Sequence, residues 1–227
     1  MPSIGVVIPA WNEAARIGRT VSAAAAISGV SEVIVVDDGS TDDTADIAWQ
    51  AGAHVLRLPT NRGKGQALHE GIQRCKCDII LMLDADLEET AIAAEALLKP
   101  VLNEQADMAI AQFPRCKPAG FGIVRTLAQG GIRMLTGLKL QSPLSGQRAV
   151  RRIIFDQVTL APGWETEVAL TIDAVRCGFR VLEVPVAFRH RSTGRDWKGF
   201  VHRGRQFGGV AKALLLRLFT APGACMC

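Results

Sequence analysis

The sequence holds no tyrosine, an omission for which the composition offers no physical reason. Other omissions exclude more. No apolar stretch reaches the ~18 residues a membrane-spanning helix needs, and the chain starts in a strand-like run without a charged leader or cleavage site, so neither a span nor secretion is expected. The six cysteines, Cys75, Cys77, Cys116, Cys177, Cys225 and Cys227, lack the Cys-x-x-Cys spacing of a zinc ribbon. Reduced thiols in a cytoplasmic protein are the expectation. No Gly-x-Gly-x-x-Gly follows the first apolar run, which disfavours a nicotinamide or flavin fold. The Walker spacing Gly-x4-Gly-Lys-Ser/Thr is missing too. What is present, 48% hydrophobic and 21% charged residues among 227, suits one globular domain. Charge is unevenly placed. From Pro185 onward eight Lys/Arg face the single acid Asp196, a net +7, which leaves −3 for the first 184 residues of a +4 chain. The basic end should face something anionic, such as phosphate, an acidic substrate or a membrane surface; no nucleic-acid partner is expected.

The most informative stretch is Cys77-Asp78-Ile79-Ile80-Leu81-Met82-Leu83-Asp84-Ala85-Asp86. Its unalternating apolar run reads as a strand buried on both faces of a parallel sheet. Ligands of open α/β sheets bind outside the carboxyl ends of strands. Two carboxylates there repel each other, and a hard divalent cation carrying a diphosphate relieves this, since Mg2+ takes one or two protein carboxylates plus phosphate oxygens. Taken alone, Asp84 and Asp86 equally suit a loop start that caps the following helix.

Along the chain, Ser3 to Ile8 reads as a strand ended by Pro9. Asn12 is a plausible cap for a helix to about Ile27, with Arg16, Arg19 and Thr20 facing outward. Val33 to Val36 is a second buried strand, ending in Asp37-Asp38; Ser40 with Asp43 resembles a capping box for a helix to Ala51. After strand His54 to Leu58, the loop Pro59-Thr60-Asn61-Arg62-Gly63-Lys64-Gly65 leads into a helix to Arg74. A lysine between glycines at a helix start suits an anion. A helix from Thr90 to Asn103 and a strand from Asp107 to Ala111 follow. Alternation of this kind implies a doubly wound, mostly parallel sheet. Residues 113–122 form a Pro/Gly loop expected to be mobile and to fold over a ligand. Helices are expected over Ile123 to Thr136, Arg152 to Val158 and up to Cys177, with the loop Pro143 to Ala149 between the first two. A late strand, Arg180 to Val186, delivers Arg189-His190-Arg191. Residues 197–219 place Trp197, Phe200, Val201, Phe207, Val210, Leu214, Leu215 and Leu218 along one helical side, with Lys198, His202, Arg205 and Lys212 opposite. Packing on the core ranks first for this segment, binding of a small anionic acceptor by Arg189, Arg191, Arg195 and His202 second, and a membrane-surface role third.

Pro9-Ala10-Trp11-Asn12-Glu13, Val36-Asp37-Asp38-Gly39-Ser40-Thr41-Asp42, Gly63-Lys64-Gly65-Gln66-Ala67-Leu68 and Leu83-Asp84-Ala85-Asp86, in that order, resemble the family 2 GT-A glycosyltransferases. Pro143 to Ala149, Pro162-Gly163-Trp164-Glu165-Thr166-Glu167 and Val186 to Arg191 look like the branch of that family that holds the glucosyl-3-phosphoglycerate synthases. The resemblance implies a GT-A fold with a nucleotide-sugar half, 1–112, and an acceptor-side half, 113–227, carrying the basic C-terminal extension. It implies a donor site of Pro9, Ala10, Trp11, Glu13, Asp37, Asp38, Lys64, Asp84 and Ala85. Asp84 and Asp86 match the family's Asp-x-Asp metal motif, and His190 the branch's third metal ligand; imidazole suits Mn2+ better than Mg2+. The lesser alternative for His190 is membership of a cation cluster with Arg189 and Arg191. Asp86 and Glu167 are the implied catalytic residues, and Ser145, Gly146, Glu167, Arg191 and Arg195 the implied acceptor site. Glu165 and Glu167 lie ~200° apart on a helix and cannot share one site; the resemblance selects Glu167 and leaves Glu165 as a first-turn acid favoured by the helix dipole. Asp38 stands where the phosphoglycerate enzymes commonly have Ser, and the chain is shorter at both ends, so the acceptor does not carry over.

The implied function is metal-dependent transfer of a hexose, foremost glucose from UDP-glucose, to an acceptor hydroxyl, with Mg2+ or Mn2+. The acceptor is a small anion or, as an alternative, a lipid or polyprenyl phosphate met at the inner membrane face; a homodimer is allowed. A nucleotide-sugar-binding protein without turnover would have no use for Glu167 and His190. A sugar nucleotidyltransferase would need a glycine-rich, arginine-containing turn after the first strand, where Pro9 to Glu13 instead brings an acid.

Overall fold

The computed structural model describes residues 2–113, 122–161, 163, 165–188 and 197–219, and for 197–206 the backbone only. Seven strands, β1 (Ile4–Ala10), β2 (Val30–Asp37), β3 (His54–Arg57), β4 (Ile79–Met82), β5 (Met108–Gln112), β6 (Arg148–Arg151) and β7 (Val181–Pro185), form one sheet in the order β3-β2-β1-β4-β6-β5-β7. All pairings are parallel except those of β6, which runs against β4 and β5. The expected doubly wound sheet is present. β6 was not expected: it takes the last two residues of what reads as a loop over Pro143 to Ala149. Pro9 does not end β1, which continues to Ala10 against β2 after its pairing with β4 stops at Val7 and Met82.

One face of the sheet is covered by α1 (Ala14–Ala25), α2 (Thr44–Gln50), a 3-10 segment (Glu88–Ala94) and α4 (Glu95–Leu102), through Ile17, Ala48, Ala91 and Leu97. The other is covered by α3 (Lys64–Arg74), α5 (Gly122–Thr136), α6 (Ile153–Gln157), α7 (Thr166–Arg176) and α8 (Trp197–Phe219), through Leu68, Ile132, Ile154, Val168 and Val210. Strand residues of β1 alternate between these layers: Val6 and Ile8 enter the first, Val7 the second. Two helix-start expectations and one outward-facing residue need correction. Asn12 is in the left-handed region (φ 54) outside α1, whose N-cap is Glu13. Ser40 accepts the Asn12 amide instead of capping α2, and Asp42 accepts the amides of Ala14 and Thr44. These bonds lash the loop after β1 to the loop after β2. Thr20 does not face outward: fully buried, it donates to the Ala85 carbonyl and accepts the Glu88 amide, both at 2.8 Å.

In α8, Val210 and Leu214 are buried as expected, but Phe207, Leu215 and Leu218 are exposed. Of the expected solvated cations, Lys212 lies 3.4 Å from Glu165. Trp197, Phe200, Val201, Lys198, His202 and Arg205 have side chains outside the described residues. Cys75 and Cys77 are free and buried, and burial pushes the Cys75 thiol up to about 12. Cys177 is disulfide-bonded, with its partner outside the described residues, so the expectation of reduced thiols fails for it.

Across the far edge, Asp107 holds β5, β6 and β7 together. Its carboxylate accepts the Arg180 amide (2.9 Å), Arg180 Nε (3.1 Å) and Arg151 Nη1 (3.2 Å). Burial works against its charge, yet those donors prevail and hold the carboxyl below its ordinary 3.8. A depressed folded value means stability that is present above 3.8 and lost as pH falls through the folded value. Asp107→Asn is therefore expected to destabilise by about 2 kcal/mol at pH 7, discounted for the exposed arginines. The difference from wild type should shrink below pH 4, as urea titrations at pH 7 and pH 3 would measure.

Candidate active site

The carboxyl ends of β1, β2 and β4 lie on one edge of the sheet, and the antiparallel run of β6 brings its amino end to that edge. Because Met82 pairs with Arg148, residues 145–147 abut Leu83 and Asp84. Asp84 accepts hydrogen bonds from Lys64 Nζ at 2.8 Å and from Gln147 Nε2. Lys64 Nζ also lies 3.1 Å from Glu167 Oε1. The first turns of α3 and α7 and the end of β4 thus converge on one ammonium group. Burial alone pulls the Lys64 pKa down, but Asp84 and Glu167 outweigh it and leave the value well above 10.5. Lys64 is a fixed positive charge.

The loop that presents Lys64 is built by Asp38. Both its oxygens are engaged, with the amides of Arg62 and Gly63, each at 2.8 Å. Gly63, at φ 91, then starts α3, a backbone that L side chains rarely adopt. Asp37, also buried, accepts the Ser40 amide at 3.2 Å. Glu13 pairs with Arg16 at 3.0 Å, and Arg16 reaches Glu88 at 3.4 Å beyond the Asp86 turn. Ala10 and Ala85 are buried beside this edge, Pro9 and Asp86 are half-buried, and Trp11 is exposed. All the expected donor-side residues therefore come to the carboxyl edge of β1, β2 and β4. Their oxygen donors, Asp84 and Asp86, are the hard ligands that suit Mg2+ or Mn2+. His190, Arg191 and Arg195 lie outside the described residues.

On the acceptor side, Ser145 is buried and shares a 3.2 Å hydrogen bond with Gln147 Oε1, so it supports the side chain that holds Asp84. Gly146 packs directly on the charge cluster: a Cβ there would lie 2.4 Å from Lys64 Nζ and 3.1 Å from Asp84 Oδ1. Since Nζ ends a flexible chain, Gly146→Ala is expected to change stability by less than about 1 kcal/mol. By displacing Lys64 it should cut turnover on the order of 10²-fold, a separation that thermal melts beside steady-state rates would read. Glu165 is the N-cap residue of α7, not a first-turn acid, and turns to Lys212; Glu167 alone reaches the cluster, as the 200° argument requires.

Two residues here were missed in the sequence. Gln147 is one, and Arg148 the other: fully buried, it donates to the carbonyls of Ser145 (2.9 Å) and Pro143 (3.2 Å) and to Thr171 Oγ1 (2.9 Å). Burial pulls its pKa down to about 10, resisted by Glu167 and Glu183. It stays charged and fixes the 143–147 loop to α7. Gln147 and Arg148 both lie within the stretch Pro143 to Ala149 that carries the branch resemblance, but nothing in it assigns either a role; the residue-level signal was a polar Gln-Arg pair ahead of Ala149-Val150.

Residues 5–159 match the model of glycosyl transferase family 2. The chain belongs to that family. Over 204 residues it is 31% identical to the glycosyltransferase AglJ of Haloferax volcanii, covering 86% of this chain and 65% of AglJ. It is 31% identical over 229 residues to glucosyl-3-phosphoglycerate synthase of Mycobacterium tuberculosis, covering 88% of this chain and 70% of the synthase. The crystal structure of that synthase with Mg2+ and UDP superposes with a TM-score of 0.79 at 28% identity, covering 98% of this chain and 81% of the other. Another holds Mn2+, UDP-glucose and phosphoglyceric acid, with a TM-score of 0.78 at 26% identity and coverages of 98% and 81%. The fold of this family 2 member is accordingly the GT-A one. No helix among its described residues is long and apolar enough to cross a membrane.

Proposed function

We propose that this family 2 glycosyltransferase moves glucose from UDP-glucose to the hydroxyl of a small anionic acceptor, using Mg2+ or Mn2+. The observation that carries the reading is the clamp of Lys64 between Asp84 and Glu167 at the sheet's carboxyl edge. Residues 1–112 would hold the donor and 113–227 the acceptor. Asp84 and Asp86, with His190 as a further ligand, would hold the cation, which when bound neutralises the departing diphosphate. Lys64 supplies a second positive charge to the same oxygens, and Asp38 keeps its loop in place. Pro9, Ala10, Trp11, Glu13, Asp37 and Ala85 would line the nucleotide side. Glu167 already accepts a charge-assisted bond from Lys64, which suits it to orienting an acceptor hydroxyl instead of removing its proton. Retention of anomeric configuration is what the likeness to the glucosyl-3-phosphoglycerate synthases implies, and a positioning role for Glu167 agrees with it, with Gly146, Arg191 and Arg195 on the acceptor side. The expected compartment is the cytoplasm.

One observation favours a second reading, a lipid-linked acceptor at an anionic membrane face: Ile123 and Met134 of α5 and Leu215, Leu216 and Phe219 of α8 are exposed. An acceptor screen of 3-phosphoglycerate against polyprenyl phosphate and diacylglycerol, run beside liposome sedimentation at two salt concentrations, separates the two. Transfer to the small anion with an α linkage by product NMR supports the first reading. Salt-sensitive liposome binding with transfer to lipid overturns it in favour of the second, and a β linkage would promote Glu167 to general base.

A further inference from the structure

The edge of the sheet opposite the active site carries a second cluster of ligating side chains. Cys75, the residue that closes α3, is extended (φ −66, ψ 129), so Cys75 and Cys77 send their side chains to the same face. Both belong to the buried layer that contains Val7 and Ile34. The central strand β1 lies between them and β2, and its residue at this level is Gly5, paired with Glu32 on one side and Ile80 on the other. A Cβ on Gly5 would stand 2.4 Å from Cys75 Sγ and 3.1 Å from Cys77 Sγ. The bare glycine thus opens the space in which two sulfurs meet a carboxylate across the strand. Cys77 Sγ donates to Glu32 Oε1 at 3.2 Å, and one ligand atom each from Glu32, Cys75 and Cys77 all lie within 4.8 Å of one another.

We propose that Glu32, Cys75 and Cys77 bind a borderline-soft divalent cation, Zn2+ by their donor set. Tetrahedral zinc with sulfur at about 2.3 Å and carboxylate oxygen at about 2.0–2.2 Å places its ligand atoms some 3.5–3.8 Å apart, which atoms 3.2 Å apart in one pair and within 4.8 Å in all reach by small side-chain shifts. Binding displaces the two thiol protons, including the one that Cys77 donates to Glu32, and the thiolates take their place as ligands. Both sulfurs are buried while Glu32 is half-buried, leaving one open side where water completes the shell. Ser31 is beside it, 3.4 Å from Cys77 Sγ, but its hydroxyl already donates to the Ile4 carbonyl at 2.9 Å. Two sulfur donors turn away Mg2+, whereas the all-oxygen pair Asp84 and Asp86 suits it, so the chain would carry two cations of different chemistry at opposite edges. The metal would link β2 to the approach to β4 across β1 and favour the folded state by mass action. None of this depends on the sugar-transfer reading.

Titrating the full chain with Co2+ under a phosphine reductant tests the site, because thiolate ligation gives near-ultraviolet charge-transfer absorption that carboxylates alone do not. One equivalent is expected to produce the band, Zn2+ to bleach it and to raise the melting temperature, and the double variant Cys75→Ser/Cys77→Ser to lose it. Since Cys75 is fully buried, Glu32→Gln serves as the variant that keeps the fold. It should weaken Co2+ binding at least tenfold while UDP-glucose turnover stays at the wild-type level. Absence of the band in the wild-type chain, or a band unchanged when both cysteines are replaced, would overturn the proposal.

Discussion

Asp84→Asn is expected to lower sugar transfer roughly 10³-fold while leaving the fold intact. Asparagine keeps the size of the side chain, and its carbonyl can still accept from Gln147, so the packing of β6 against β4 survives. What disappears is a full negative charge that would hold the cation against the departing diphosphate. Losing one such preorganised electrostatic contact commonly costs 10²–10³ in rate, and here the cation's affinity falls as well. Steady-state rates at rising Mn2+ would show the loss only partly recovered at high metal. Asp86→Ala belongs to the same prediction; full turnover in that variant would remove the metal role from both carboxylates.

Lys64→Met should be nearly as severe for activity, on the order of 10²-fold in kcat/KM, and more damaging to stability. Without the ammonium, Asp84 and Glu167 lose the positive charge that both contact, and Glu167 is only 12% exposed. Breaking one partner out of a partly buried pair costs about 2 kcal/mol once the exposure of Lys64 is allowed for. The sign with pH is fixed by the direction of the shift. Lys64 has a folded pKa raised above 10.5, so its contribution is fully present below that value and is lost as pH rises through the folded one. The stability gap between wild type and Lys64→Met is expected to be flat from pH 6 to 9 and to close only above about pH 10.5, as denaturant titrations across that range would measure.

The parallel core was legible because its physics is local. Val33 to Val36 and Ile79 to Leu83 are apolar on both faces, and each run stops at acids that mark the edge where chemistry gathers. β6 was not legible. It is four residues long, begins with a buried arginine, and is held by partners 40 and 23 residues away in sequence, Met108 and Thr171. No window of hydrophobic periodicity contains that information. Gln147 was hidden for the same reason, since its value lies in a register with Asp84 that only the antiparallel strand creates. Thr20 reads as a surface residue in an alanine-rich helix and proves to pin the Asp86 turn. In α8 the pattern was right at Val210 and Leu214 and wrong at Leu215 and Leu218, because helical phase defines a side but not how much of it a neighbouring helix covers. Gly131 of α5 lets α8 approach most closely at Leu214, where a Cβ on the glycine would lie 2.3 Å from Leu214 Cδ2, and the turns on either side of that contact stay open.

Release of UDP from UDP-glucose by the purified chain with Mn2+, repeated after EDTA and after metal is restored, tests metal-dependent sugar transfer most directly. Slow release without acceptor, acceleration by a small phosphorylated acceptor, loss with EDTA and recovery with Mn2+ or Mg2+ are predicted. Release that continues unchanged in EDTA, or tight UDP-glucose binding with no turnover toward any acceptor, would contradict it.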